Sequence, residues 1–323
     1  MLKKIIPGIL LCLIVAAASK LSAPLIPSLG DVSIAIILGV IIGNILPESG
    51  VTAQGIKFCE KKVLELAIVF MGFNLQLNTL GALGAKAFFI ILPVMLITIF
   101  AGLLVAVRLG FSKRFGYLLG IGSAVCGSSA IAAVAPVLEA KEDEIGISIS
   151  VVNLMGAAGI FLLPPLVHIL VMGDIPSSYM VGGTLQAIGH VVAAGFSIND
   201  TVGDTATVIK MLRVLMIGPI VIIMSLMLRK RNTGGKLSGF IPLYVAGFII
   251  CSIIATILHN HTDFVHNFKL IAKYLLMIAM AGVGMKIRFA DLLREGPKAI
   301  MAIVIIFAVQ LTSAAILIKI LDP

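Results

Sequence analysis

The chain has 323 residues, 60% of them apolar and 12% charged, with a formal charge of +9, 32 glycines and no tryptophan. Soluble domains carry about 25% charged residues, so a soluble globular fold is excluded. At roughly 20 apolar residues per crossing, transmembrane helices use up the length, and no soluble catalytic or nucleic-acid-binding domain fits. In such a chain the surplus of Lys and Arg is first of all orientation information.

Lys3-Lys4 followed by an apolar run to Ala18 has the form of a secretory signal, with Ala16-Ala17-Ala18-Ser19 as a cleavage-like site. Further spans follow directly, so this is an uncleaved first helix. Apolar runs bounded by Pro, Gly or charge predict eleven spans, at about 5–20, 31–47, 63–80, 86–107, 115–137, 145–171, 182–196, 205–228, 239–259, 268–287 and 298–320. The span at 182–196 is the weakest. It is short and holds Gln186 and His190, which leaves a re-entrant or broken segment open. With the N-terminus inside, the cytoplasmic loops collect sixteen of the 24 basic residues, among them Lys57, Lys61, Lys62, Arg108, Lys113, Arg114, Arg229 to Lys236 and Lys286 to Lys298. The bias predicts N-terminus in and C-terminus out. The turns Glu139 to Glu144 and Asn260 to Asn267 then face outward. The four cysteines are scattered, so neither a disulfide framework nor a metal site is expected.

Internal self-similarity is weak but present. Tyr117 to Gly127 matches Tyr274 to Gly284 at six of eleven positions, at an offset of 157, and this pairs the fifth and tenth spans. An odd separation makes the copies antiparallel. The chain then divides into an extra N-terminal helix (1–30), a first five-helix repeat (31–172) and a second, inverted one (182–323). A competing match sets 61–88 against 273–300 at an offset of 212, pairing Gly72, Gly84 and Lys86 with Gly284, Gly296 and Lys298. The first is preferred because it yields contiguous halves.

Gly122 to Ser129 in the fifth span puts small and hydroxylated residues at mid-membrane depth. Such a stretch lets a helix unwind, and the N–H groups of its second half then favour an anion. Cys126, Gly127, Ser128 and Ser129 are candidate contacts, with close helix packing as the plainer alternative. Gly282 and Gly284 mark an expected second break, with Lys286 two residues on. Lys210 and Arg213 share a helix face at a depth where charges rarely face lipid, and could draw an oxyanion into a vestibule. Asn153 follows in the next span, His190 is a candidate proton carrier, and Asn74, Gln76 and Gln186 are further polar groups near membrane depth. No acidic relay is visible in the spans, which favours an anionic substrate.

The stretches Cys126 to Pro136, His190 to Ser197, Lys210 to Met216 and Ala279 to Met285 together resemble the bacterial YeiH-like sulfate exporter family, over nearly the whole chain. The resemblance implies an all-α inner-membrane protein of the cation:proton antiporter and bile-acid:sodium symporter superfamily, with inverted five-helix repeats and crossed broken helices. It implies a secondary transporter of sulfate or sulfite, not an enzyme. An organic-anion transporter is the alternative, and an intramembrane enzyme using Cys126 a remote one. The expected partners are a small anion and the bilayer, with no nucleic acid. A homodimer and a coupling ion, H+ or Na+, are compatible with the sequence, and no cofactor is expected.

Overall fold

The computed structural model describes residues 2–23, 31–45, 50–74, 77–227, 243–257, 262–287 and 296–321. Gln76, Arg288, Arg294 and the basic run Arg229 to Lys236 lie outside the described residues, as does the start of the turn at Asn260. The described residues form helices and no strand: α1 (Leu2–Ser22), α2 (Asp31–Ile45), α3 (Gly50–Phe58), a π-helical turn (Cys59–Val63), α4 (Leu64–Met71), a 3-10 turn (Gly72–Asn74), α5 (Leu77–Arg108), α6 (Lys113–Ala124), α7 (Ser128–Leu138), α8 (Glu142–Ile169), α9 (Asp174–Thr184), α10 (Ile188–Ile198), α11 (Asp200–Leu215), α12 (Ile217–Met227), α13 (Leu243–Ile257), α14 (Thr262–Lys286) and α15 (Pro297–Leu321). Among them, six stretches are long and apolar enough to cross a membrane: Ile5–Ser22, Ala87–Arg108, Glu142–Ile169, Asp200–Met224, Asn267–Lys286 and Pro297–Leu321. Shorter apolar helices accompany them, and the expected all-α polytopic membrane architecture is the one observed.

Two compact units share the chain. One comprises Met1–Gly81, Phe196–Asp204 and Pro242–Leu292, the other Ala82–Gly195, Thr205–Ile241 and Leu293–Pro323.

In the first unit, backbones meet where glycine removes the side chain. A Cβ at Gly284 would overlap Ile36 O, one at Gly43 would overlap Met285, and Gly8 and Gly55 bring α1 against α3 in the same way. Small residues let membrane helices approach this closely. The glycines of α14 therefore serve packing, and the break expected at Gly282 and Gly284 is absent, since α14 runs unbroken to Lys286. The third span also starts earlier than its hydropathy suggests. Lys57, Lys61 and Lys62 lie within helical turns, where ion pairs offset the local charge: Lys62 with Glu65 and Lys286 with Glu60, each at 2.8 Å.

In the second unit, α6 and α7 form a hairpin. Arg114 at the start of α6 donates to Glu139 O just past the end of α7, at 3.2 Å, and Gly122 faces the Ile131 side chain. Contacts that converge symmetrically on Cys126 mean that the chain reverses there. The segment expected to cross at 115–137 therefore enters and leaves on the same side. The reversal turns on Gly127, at φ 72 and ψ -128. That backbone conformation is open in practice only to glycine. Ser112 caps α6 by accepting from Phe115 N at 3.1 Å.

The short segment near 182–196 reverses as well. Asn199 joins α10 to α11, with its side chain accepting from Val202 N at 2.8 Å, and Phe196 lies over Gly203. These helices are thus antiparallel. Gly182 of α9 nevertheless lies against Ala206 and Ile209, and Arg213 reaches both Gly182 and Leu185. That advance in step makes α9 parallel to α11 and so antiparallel to α10.

Helix α8 runs from Glu142 to Ile169 without interruption. One hairpin leads into its start and the other leaves its end. Their tips meet at its middle, Gly127 beside Val152 and Asn153, Leu185 and Gln186 beside Gly159 and Gly156. Reversing backbone at membrane depth is tolerated only where protein buries it, and Gly122 to Gly127 and Val181 to Gln186 are all buried. Close packing also supports α6 from behind, where a Cβ at Gly120 would sit 2.7 Å from Ile99 O of α5. Gly120→Val is expected to lower stability by about 1–3 kcal/mol through overpacking, read as a lower unfolding temperature of the purified protein in detergent.

Candidate functional site

Each hairpin brings the C-terminal end of one short helix and the N-terminal end of the next to the same point. The last carbonyls of α6 and α9 lack helical partners and carry the negative end of the dipole. Lys210 and Arg213, one turn apart on α11 and both fully buried, supply the missing donors. Arg213 donates through Nε to Ala124 O (2.9 Å), through Nη2 to Ser123 O (2.8 Å), and through Nη1 to Gly182 O (2.9 Å) and Leu185 O (2.8 Å). Lys210 donates to Leu185 O at 2.6 Å and to Val125 O. One planar guanidinium thus caps both hairpins, a task for which its fixed fork suits it better than an ammonium. Gln310 of α15 adds a bond from Nε2 to Ser123 O at 3.2 Å.

Four of the five N–H groups of Arg213 and two of the three on Lys210 are thus engaged by carbonyls that hold the tips.

The opposite ends of the hairpin turns present the N-terminal turns of α7 and α10. Ser128 is half-buried and Ser129 exposed, with Ser129 Oγ 2.7 Å from Cys126 Sγ. Asn153 is half-buried, and its Oδ1 would lie 3.4 Å from a Cβ on Gly127. Gln186 is fully buried and His190 only 9% exposed. Neither amide atom of Gln186 nor Nδ1 of His190 has a hydrogen-bond partner among the described residues. Both side chains press on Gly156: a Cβ there would overlap His190 Nδ1 and lie 3.0 Å from Gln186 Oε1.

The second unit therefore gathers Cys126, Gly127, Ser128, Ser129, Asn153, His190, Lys210 and Arg213 around the tips. Gly282, Gly284 and Lys286 belong to the first unit, where Lys286 pairs with Glu60. Gln186, noted in the sequence only as a polar residue in a weak span, lies at the centre of the site. Gly156 had no sequence signal, since one glycine among 32 does not announce that it makes room for an imidazole. The first unit has an open cavity of about 300 Å³ beside Phe196, Asp200, Asp204, Lys269 and Lys273, which contains none of the residues nominated from the sequence. No group of three or more potential metal ligands occurs among the described residues.

A family model described as Conserved hypothetical protein 698 matches residues 7–303. The chain belongs to this family. Relatives named UPF0324 membrane proteins include one from Lactiplantibacillus plantarum, 35% identical over 99% of this chain and 98% of that one. Others come from Clostridium perfringens (34% identical, 93% and 91% covered) and Lactococcus lactis (34%, 98% and 99%). The structure of the sodium proton antiporter MjNhaP1 from Methanocaldococcus jannaschii aligns over 98% of this chain and 99% of that one, at 15% identity and a TM-score of 0.30. At that score the two folds are not equated. The family is one of membrane proteins, and the chain is a multi-pass member of it.

Two outcomes test the site's architecture. Arg213→Met takes a donor from each of four buried carbonyls and is expected to cost at least about 3 kcal/mol, measured as unfolding temperature in detergent, with Arg213→Lys intermediate. Gly127→Ala forces a non-glycine residue into its backbone conformation and is expected to cost about 1–3 kcal/mol by the same measurement.

Proposed function

We propose that this family member is a secondary transporter of a small inorganic oxyanion, sulfate or sulfite. The observation that carries the reading is the pair of fully buried cations, Lys210 and Arg213, whose acceptors are all backbone carbonyls. The acidic residues described in that unit lie at helix ends: Glu139, Glu142, Asp143 and Asp174 exposed, Glu144 half-buried. Carbonyl dipoles offset two buried charges only in part, and an unneutralised charge at membrane depth is costly. An anion bound between the hairpin tips would complete the neutralisation, with the N-terminal turns of α7 and α10, Ser128, Ser129 and Asn153 as its neutral donors. Cys126 Sγ faces Ser129 Oγ, with no imidazole bonded to it among the described residues, which disfavours the nucleophile reading and an enzyme.

Two hairpins entering from opposite ends of α8 suit alternating access, each acting as the gate for one side. Because both expected crossings are hairpins, the two reversals cancel. The basic runs at Arg229 to Lys236 and Lys286 to Lys298 stay cytoplasmic, with N-terminus in and C-terminus out. We assign the protein to the bacterial cytoplasmic membrane on the same charge pattern. The repeat that fits this arrangement is the one at offset 212, with the second copy circularly permuted so that α9 to α12 precede α13 to α15.

Counterflow of labelled sulfate and sulfite in proteoliposomes tests the function. Saturable exchange is expected, lowered about tenfold or more in Ser128→Ala and Asn153→Leu, the loss of one hydrogen bond of ~1.4 kcal/mol each. No exchange of either anion by monodisperse wild-type protein overturns the assignment.

A further inference from the structure

The amide of Gln186 lies at the tip of the second hairpin, fully buried, and offers both N–H donors and a carbonyl acceptor with no partner for either. Exchanging the positions of the amide oxygen and nitrogen leaves the count unchanged. A buried amide in this state costs free energy until a ligand meets both of its functions. A fully deprotonated oxyanion carries only lone pairs. It can accept from Nε2, but it then sets an oxygen against Oε1. An oxyanion that keeps one O–H accepts from Nε2 and donates to Oε1, satisfying the amide completely.

We propose that the site takes its oxyanion as the singly protonated monoanion, of the hydrogensulfite class, with Gln186 recognising the O–H. This rests on the oxyanion reading above and narrows it. The surroundings agree with a single charge. Lys210 and Arg213 of α11 face the tips with their positive charge partly offset by carbonyls of α6 and α9. The other titratable and polar side chains described around the tips are Asn153 of α8, Ser123, Cys126, Ser128 and Ser129 of the first hairpin, His190 of α10 and Gln310 of α15, and none is a carboxylate. The proton travels on the anion, so no side chain needs to change protonation in the cycle.

The test is proteoliposome counterflow with sulfite and with sulfate from about pH 6 to about pH 8.5, equal on both sides. Sulfite passes from monoanion to dianion over this range, whereas sulfate is a dianion throughout. Expected are sulfite exchange that falls toward a slope of about tenfold per pH unit as the monoanion is depleted, and slow sulfate exchange at every pH. In His190→Gln the absolute rate changes with the loss of a site group, but the pH dependence of sulfite exchange, normalised to its own maximum, stays the same, because the titrating group is the substrate. Gln186→Met, similar in shape but without an amide, is expected to unfold at the same or a higher temperature while losing sulfite exchange tenfold or more, which a purely structural amide would not do. Sulfate exchange as fast as sulfite, or a sulfite rate flat in pH or rising with it, overturns the monoanion assignment and leaves oxyanion transport standing. A profile flattened by His190→Gln transfers the proton to the imidazole and also overturns it. No exchange of either anion by folded wild type removes both readings.

Discussion

The second unit depends on five carbonyl oxygens that have nowhere else to go. Two short helices, α6 and α9, end within the protein at membrane depth, and their last carbonyls converge. Water would satisfy them at a surface, but hydrocarbon cannot. The strong donors that reach them are on α11, where a single arginine with one lysine covers Ser123, Ala124, Val125, Gly182 and Leu185. The two cations make the reversals tolerable, and the carbonyls of the reversals offset part of the charge of two cations that have no carboxylate beside them among the described residues of this unit. The electrostatics and the topology are one arrangement.

In the proposed site Lys210 and Arg213 are largely engaged by backbone, so most of the groups left to meet a ligand are hydroxyls, amides and helix N-termini. Neutral donors around an offset positive charge discriminate by hydrogen-bond geometry and ligand protonation more than by charge alone. The cluster at Gln186, His190 and Gly156 has this character. A glycine removes the Cβ that would otherwise occupy the place of the imidazole edge.

Much of this was legible in the sequence. Composition excluded a soluble fold, and hydropathy located the long spans within a few residues. The run Gly122 to Ser129 announced an interruption, and Lys210 and Arg213 stood out as charges at depth. The reversals were not legible. A hairpin of two short helices such as α6 and α7 has the same length and hydropathy as one crossing, and periodicity carries no sign of direction. What betrays a reversal is a long-range contact such as Arg114 with Glu139, which one sequence does not display. Gly282 and Gly284 misled for a related reason, since glycine permits a break and equally permits close contact. At Gly284 the neighbouring backbone of α2 decides for contact, and at Gly282 the π-helical turn does the same.

The proposed orientation does not depend on this error, because charge bias counts parity and not individual crossings. Under that proposal, treating both hairpins as spans moves only the loops between them and α8, including Glu139 to Glu144, and leaves every later loop on the same side. The two candidate self-similarities differ in what they pair. The match of Tyr117–Gly127 with Tyr274–Gly284 sets a helix that ends at Ala124 against one that runs on to Lys286. Gly72 and Gly284, by contrast, each meet a neighbouring helix backbone, Phe248 O for the first and Ile36 O for the second. An equivalence between positions that perform the same packing task carries more weight than one between letters, because close approach of two backbones restricts the residue to glycine for a physical reason.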